Sequence, residues 1–220
     1  MTGVVEARDL YRFYHADDDE TLALRGVSLC VAEGELVAVT GPSGSGKSTL
    51  LACLAGLDDP DGGMVFIAGQ AMSRRPEPER AALRARSIGM LFQSNNLLDH
   101  LTIGVNFDLT RRLVPGSRTA GSGDVLERLG LGHRRLAYPS QLSGGEAARA
   151  GLAMALANEP LLILADEPTG ELDSITASIV LDELRQQTDR GTAVVVVTHS
   201  PLVAEQADWI VELVDGRVRS

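Results

Sequence analysis

The run Gly41-Pro42-Ser43-Gly44-Ser45-Gly46-Lys47-Ser48 constrains this chain more than any other stretch, because it dictates a turn and both of its neighbours. It matches G-x-x-x-x-G-K-[ST], follows the apolar segment Leu36–Thr40 and opens the apolar segment Thr49–Leu57. A glycine-rich loop between strand and helix lets successive backbone N–H groups turn inward as an anion nest, and the helix N-terminus adds its positive end. The chain is therefore expected to hold phosphate at a strand's C-terminal end. Lys47 would reach the β- and γ-phosphates and Ser48 would offer its hydroxyl to Mg2+. Composition sharpens the point. Of 20 basic residues Lys47 is the only lysine, the rest being arginine. A compact ammonium fits between phosphate oxygens where a planar guanidinium does not. An unliganded glycine- and serine-rich turn would explain the loop, but not the position of that lysine.

Reading onward from the N-terminus, Val4–Tyr14, Gly26–Val31 and Leu36–Thr40 are predicted strands, with an acidic turn at Asp17–Glu20. Thr49–Leu57 is a predicted helix that ends at the Asp-, Pro- and Gly-rich turn Asp58–Gly63. Met64–Ala68 reads as a strand, Glu77–Arg86 as an exposed helix and Ile88–Phe92 as another strand. From Ser94 to Glu159 no strand pattern occurs, so this stretch reads as helices broken by a loose Gly/Ser-rich segment, Pro115–Gly123. Leu161–Ala165 and Ala193–Thr198 are continuous apolar runs, as parallel strands covered on both faces read. The helix Ile175–Gln187 between them completes a βαβ unit, and the chain closes with a strand at Trp209–Val214 and a turn at Asp215-Gly216. The expected fold class is α/β: a mostly parallel, doubly wound core with a helical insertion in its middle.

Other candidate residues cluster at predicted strand ends. Asp166 and Glu167 follow the buried run Leu161–Ala165, at the edge where open α/β sheets bind ligands. Adjacent residues there point different ways, so Asp166 can hold a metal through water while Glu167 polarises an attacking water. His199 follows Val194–Thr198 and Gln93 follows Ile88–Phe92. Each alone is weak, since a histidine at such a place is more often hydrogen-bonded structure than catalysis. Their force is convergence with Lys47 and Asp166 on one edge of one sheet. Leu142-Ser143-Gly144-Gly145-Glu146 opens a helix running to Ala157. Ser143 and Glu146 fit an S-x-x-E capping box, and the same helix start fits a second anion site; both readings stand.

Composition excludes several classes. A net charge of −10 argues against a nucleic-acid partner, which normally needs a basic face. Cys30 and Cys53 sit in apolar contexts with no metal or disulfide spacing, as reduced thiols of a cytosolic protein do. No signal peptide is evident and no apolar run approaches the roughly 20 residues that span a bilayer, so any membrane role is expected to come through another protein.

In this order and spacing the motifs resemble the nucleotide-binding domain of ABC ATPases over essentially the whole chain. Gly41–Thr49 is similar to Walker A, Gln93 to the Q-loop glutamine, Leu142–Glu146 to the signature and Leu161–Asp166 to Walker B. Glu167 resembles the catalytic glutamate, Glu171-Leu172-Asp173 the D-loop and His199 the switch histidine. Tyr14 is similar to the aromatic residue that stacks on adenine, with Tyr11 its competitor. Segments such as Leu91-Phe-Gln-Ser-Asn-Asn-Leu-Leu and Tyr138-Pro-Ser-Gln-Leu-Ser-Gly-Gly-Glu look most like the lipoprotein-release and macrolide-exporter branch. The cell-division ATPase that drives wall hydrolases is a near relative. Ala147-Ala148 and Met154 depart from the polar residues and the arginine usual in that helix.

The resemblance implies a single domain over 1–220: a P-loop NTPase core (1–93 and 158–220) with an N-terminal antiparallel β part, and a helical signature subdomain (94–157). It implies ATP as substrate with Mg2+ as cofactor. Glu167, His199 and Lys47 would be catalytic, and Ser48, Gln93 and Asp166 would face the metal. Tyr14, Gly41, Pro42, Ser43, Gly44, Ser45, Gly46, Lys47, Ser48, Thr49, Gln93, Ser143, Gly144, Gly145 and Asp173 would bind nucleotide. It also implies two partners: a second copy in an ATP-sandwich dimer, and an integral membrane permease. The permease would hold the chain at the cytoplasmic face of the plasma membrane, on anchors such as Leu97 and Leu98 beside Gln93. The alternative within the family is a regulator that transmits force to an extracytoplasmic enzyme without transport. Repair ATPases of the same family carry coiled-coil or zinc-binding insertions, for which this chain has neither the heptads nor the cysteines.

Overall fold

The computed structural model describes residues 3–16, 19–94, 96–114, 125–170 and 172–219. The tip of the acidic turn (Asp17 and Asp18), Asn95, the loose segment at 115–123 and Glu171 of the D-loop lie outside them.

The N-terminal part is an antiparallel sheet. Strand β1 (Val5–Ala16) pairs with β2 (Asp19–Val31) in a long ribbon. Register shifts flank Asp9, whose φ of 49° lets one strand carry an extra residue. The second strand starts earlier than Gly26, the expected boundary, because the ribbon continues past the part covered by the core. This brings residues 21–23 to the phosphate loop. Next come β3 (Leu36–Thr40), α1 (Lys47–Leu54), β4 (Gly62–Ile67), β5 (Gln70–Ala71), α2 (Glu77–Ser87) and β6 (Ile88–Leu91). Helix α1 ends sooner than expected, at Gly56 in the left-handed region (φ 64°) with Leu57 N–H donating to Ala52 O at 2.9 Å.

The helical stretch holds α3 (Ile103–Arg112), α4 (Val125–Arg128) and α5 (Gly144–Leu156), with two short 3-10 turns before α5. The chain returns to the sheet through β7 (Leu162–Asp166), α6 (Ser174–Asp189), β8 (Ala193–Val197), α7 (Pro201–Gln206), β9 (Trp209–Val214) and β10 (Arg217–Val218). Two sheets result, ordered β2-β1-β4-β5 and β10-β9-β3-β8-β7-β6. In the second, β9, β3, β8, β7 and β6 run parallel and only β10 is antiparallel.

Alternation along the parallel strands explains their unbroken apolar runs. Val37, Val39, Leu162, Leu164, Val195 and Val197 face a core shared with α1 and the N-terminal sheet. Leu36, Ile163, Ala165, Val194 and Val196 face a second core shared with α3, α5 and α6. Helix α5 lies close on β6 because Gly89 leaves no room for a side chain against the Ala155 carbonyl. The functional consequence is positional: β3, β8, β7 and β6 are successive neighbours, and their C-terminal ends carry the loop of Lys47, His199, Asp166 and Gln93 side by side.

Candidate active site

The phosphate loop leaves β3 at Gly41 and enters α1 at Lys47. Gly46 caps the helix at φ 100°, and a side chain there would strike the Ala23 carbonyl of β2. No acidic residue lies in the first turn of α1, so its positive end is uncompensated. Lys47 is buried as a residue, and its ammonium donates to Gly41 O at 2.9 Å and Pro42 O at 2.8 Å. Among the described residues no carboxylate pairs with it. A buried cation held only by carbonyl dipoles is poised for an anion. Gly41, Pro42 and Ser45 form the underside of the loop. Ser45 N–H donates to Pro42 O at 3.2 Å, and Ser45 O accepts from Gly216 N–H at 3.1 Å. The Ser45 hydroxyl is buried without a hydrogen-bond partner.

A cavity of about 570 Å3 opens over this loop. Its wall includes Ser43, Gly44, Gly46, Lys47, Ser48 and Thr49 from the loop, Gln93, Asp166, Glu167 and His199 from the strand ends, and Tyr14. Tyr11 does not line it; its ring packs over Gly26 and Gly62 instead. The structure also adds residues that sequence reasoning missed: Thr21, Leu22, Ala23 and Arg25 of β2, and Asp215 with Gly216. Nothing local announces the first group. The Asp215-Gly216 turn was visible, but its neighbourhood depends on β9 pairing with β3.

Glu167 adopts φ 46°, just past the end of β7, and its N–H donates to Val197 O at 2.9 Å. Its Oε2 accepts from Thr198 Oγ1 at 3.3 Å and from His199 N–H at 3.4 Å. Its Oε1 lies 3.0 Å from His199 Nε2, an ion-pair distance without hydrogen-bond alignment, so that oxygen has no directed donor. The Glu167 side chain is 10% exposed and that of His199 69%. The carboxylate is thus enclosed while the imidazole beside it faces the open cavity.

Ser143 to Gly145 are not part of that cavity. Ser143 Oγ caps α5 by accepting from Glu146 N–H at 3.2 Å, and Glu146 accepts from Ser143 N–H at 2.8 Å, the reciprocal capping box. Arg134 holds Glu146 through Nε at 2.7 Å. Ser143 and Gly144 are exposed. Gly144 borders a second cavity of about 300 Å3, which it shares with Gln93, Glu167, Ala147 and Ala148. Gly145 packs against α6, where a methyl would come within 2.8 Å of Thr176 Oγ1 and push that side chain aside.

Asp173 also lies away from the phosphate loop. Its carboxylate caps α6, accepting from Ile175 N–H and Thr176 N–H at 3.0 Å and from Thr176 Oγ1 at 2.7 Å. Those donors, Thr176 first, hold its pKa below the ordinary range. The N-cap rule, an Asp just before a helix, would have found this role.

Ser48, Gln93 and Asp166 offer a hydroxyl, an amide and a carboxylate oxygen to one wall of the large cavity. Among the described residues no group of three or more His, Cys, Asp or Glu could hold a metal ion. A hard cation bound mainly through substrate phosphates needs only this sparse oxygen set, so the residues fit Mg2+.

Comparison with known proteins gives the family and the fold. A family model described as "ABC transporter" matches residues 24–170. The macrolide export ATP-binding/permease protein MacB of Shigella flexneri is 42% identical over 99% of this chain. The chain spans 34% of that protein's length. An uncharacterized ABC transporter ATP-binding protein of Thermotoga maritima is 44% identical over 99% of this chain and 94% of its own length. A solved dimeric post-hydrolysis ATP-binding cassette, bound to ADP and Pi, matches with a TM-score of 0.90 at 36% identity. That match covers 98% of this chain and 97% of the other.

Proposed function

Because this chain belongs to the ABC transporter family and is an ATPase of that family, we propose that it works as one half of an ATP-sandwich dimer driving an integral membrane permease, in export or in lipoprotein or lipid extraction. Residues 1–93 and 158–220 act as the nucleotide-holding core, and 94–157 as the unit that carries the signature loop to the partner.

One observation carries the reading: Ser143 and Gly144 form an exposed helix start that does not border the Lys47 cavity of their own chain. On the signature reading this helix start serves the γ-phosphate held by another copy, since it faces away from the phosphate loop of its own chain. Within each site the loop N–H groups and Lys47 hold the β- and γ-phosphates, and Tyr14 stacks on adenine. Ser48, Gln93 and Asp166 would hold Mg2+, which would supply charge neutralisation to the bound phosphates. Glu167 accepts the proton of the attacking water and His199 orients it. Ser143, Gly144 and Gly145 stabilise charge on the partner's γ-phosphate. Asp173 serves indirectly, by fixing the start of α6 beside Gly145.

For the permease, the supporting surface is apolar and exposed. Val105, Leu109 and Leu113 recur on one side of α3 and its end, and Leu98 is held against α3 by Asn106, which bonds both its N–H and its carbonyl. An adjoining groove of about 490 Å3 is lined by Met90, Leu113 and Met154. The unusual Met154 forms part of the floor of that groove and is itself buried in the second core. Of the two expected anchors Leu98 is exposed, while Leu97 is half-buried, packed on the second core and bordering the smaller cavity. No described helix is long and apolar enough to cross a membrane. In this reading the permease keeps the chain at the cytoplasmic face of the plasma membrane.

The test is sedimentation of Glu167→Gln, which should be a dimer with Mg-ATP and mostly monomer without it. Ser143→Arg in that background should abolish the shift while each chain still binds one ATP. No ATP-dependent change in mass, or a dimer untouched by Ser143→Arg, would refute the sandwich.

A further inference from the structure

Tyr14 is restrained from behind by residues that do not belong to the cavity. Its hydroxyl donates to Asp58 Oδ2 at 2.7 Å. The Arg12 guanidinium lies over the ring, 4.8 Å from its centroid. Arg12 in turn grips Asp58 with both arms, Nε to Oδ2 at 2.8 Å and Nη2 to Oδ1 at 2.8 Å, and reaches Asp61 with Nη1 at 3.0 Å. The turn that carries these aspartates is sewn to β1 by Asp61 N–H to Tyr11 O at 2.9 Å and Phe13 N–H to Asp61 Oδ2 at 2.8 Å. Arg12 and Asp58 are each about four-fifths buried at the side chain. Tyr14 lines the nucleotide cavity and Arg12 does not.

Such an arrangement does more than cross-link a strand to a turn. A tyrosine on an exposed ribbon has two free torsions, and stacking a base on it normally costs their ordering. Here a planar guanidinium on one face and a charge-assisted bond at the hydroxyl have already removed that freedom. Lysine could supply the charge but not the bidentate grip on Asp58 that fixes the cation's plane.

We propose that Arg12 and Asp58 are positioning residues for base recognition, holding Tyr14 as a rigid platform whose cavity-side face receives the purine ring of ATP. This deepens the reading of Tyr14 as the adenine-stacking residue and rests on it. The platform acts on the base alone, so it should be silent for a ligand that has phosphates and no base.

The experiment measures Mg2+-supported binding of ATP and of inorganic triphosphate to wild type, Tyr14→Ala, Arg12→Gln, Arg12→Lys and the Tyr14→Ala/Arg12→Gln double variant. Thermal melting of each confirms folding. Arg12→Gln should weaken ATP about five- to tenfold, the scale of one cation–π contact with its charge-assisted bond, and leave triphosphate unchanged. Arg12→Lys should recover only part of the loss. The double variant should bind ATP no more weakly than Tyr14→Ala alone, since Arg12 acts only through the ring. Losses that add, or that fall equally on triphosphate, would mean a merely structural cross-link and overturn the proposal. If Tyr14→Ala weakens ATP and Arg12→Gln does not, only this inference fails. If Tyr14→Ala has no effect, the stacking role of Tyr14 fails first.

Discussion

Replacing Glu167 with glutamine removes one charge and almost no volume, and the surroundings indicate what survives. The glutamine oxygen can take over the bonds from Thr198 Oγ1 and His199 N–H, both long at 3.3 and 3.4 Å, and its NH2 replaces an oxygen that has no directed donor in the parent. Folding should therefore change by no more than about 1 kcal/mol, the net worth of one ordinary hydrogen bond. Nucleotide affinity should hold or improve, because a carboxylate beside the γ-phosphate has been neutralised. What disappears is the proton acceptor. A positioned base contributes about 10²- to 10⁴-fold, roughly 3–5 kcal/mol of barrier at 1.36 kcal/mol per tenfold. Single-turnover hydrolysis at saturating Mg-ATP, run beside an ATP titration, reads both quantities. Turnover within about threefold of wild type, or a variant that no longer binds ATP, would refute the assignment of Glu167 as base and of Lys47 as the group that holds the phosphates without it.

Two further predictions concern the signature helix and the membrane partner. Arg134 first, and the Ser143 N–H second, hold the Glu146 carboxyl at about 2, below its ordinary 4.5. The unfolded chain takes up that proton first, so the stabilisation is complete above about pH 4.5 and fades as pH falls toward 2. The melting-temperature gap between wild type and Glu146→Gln should therefore narrow steadily below pH 4.5, and a gap that stays constant from pH 6 to 3 would contradict it. Leu98→Glu with Leu109→Glu should release the subunit from membranes that contain its permease and spare ATP binding, read by fractionation beside nucleotide titration. A variant that stays bound would put the docking surface elsewhere.

Much of the site could be read in advance because its chemistry is local. The phosphate loop is contiguous from Gly41 to Ser48 and carries its strand and helix with it, so its geometry follows from residues within reach of one turn. The same holds for Asp166 and Glu167 at the end of a buried strand, and for the Ser143–Glu146 capping box. Periodicity sufficed for a mostly parallel sheet covered on both faces, since strands buried on two sides have no polar alternation to show.

Tertiary structure decided what depends on which distant segments meet. Pairing of β9 with β3 brings Gly216 to the Ser45 carbonyl, and the length of the β1–β2 ribbon brings Ala23 under Gly46. Only the second core shows that Leu97 is half-buried by packing while its neighbour Leu98 stays exposed. Arg12 and Asp58 are 46 positions apart, and no periodicity links them. Sequence patterns record the chain's own dihedral and burial preferences over a few residues. The choice of partner across the fold belongs to the summed packing of strands and helices, and that choice set Arg12 over the Tyr14 ring in the wall of the cavity above the phosphate loop.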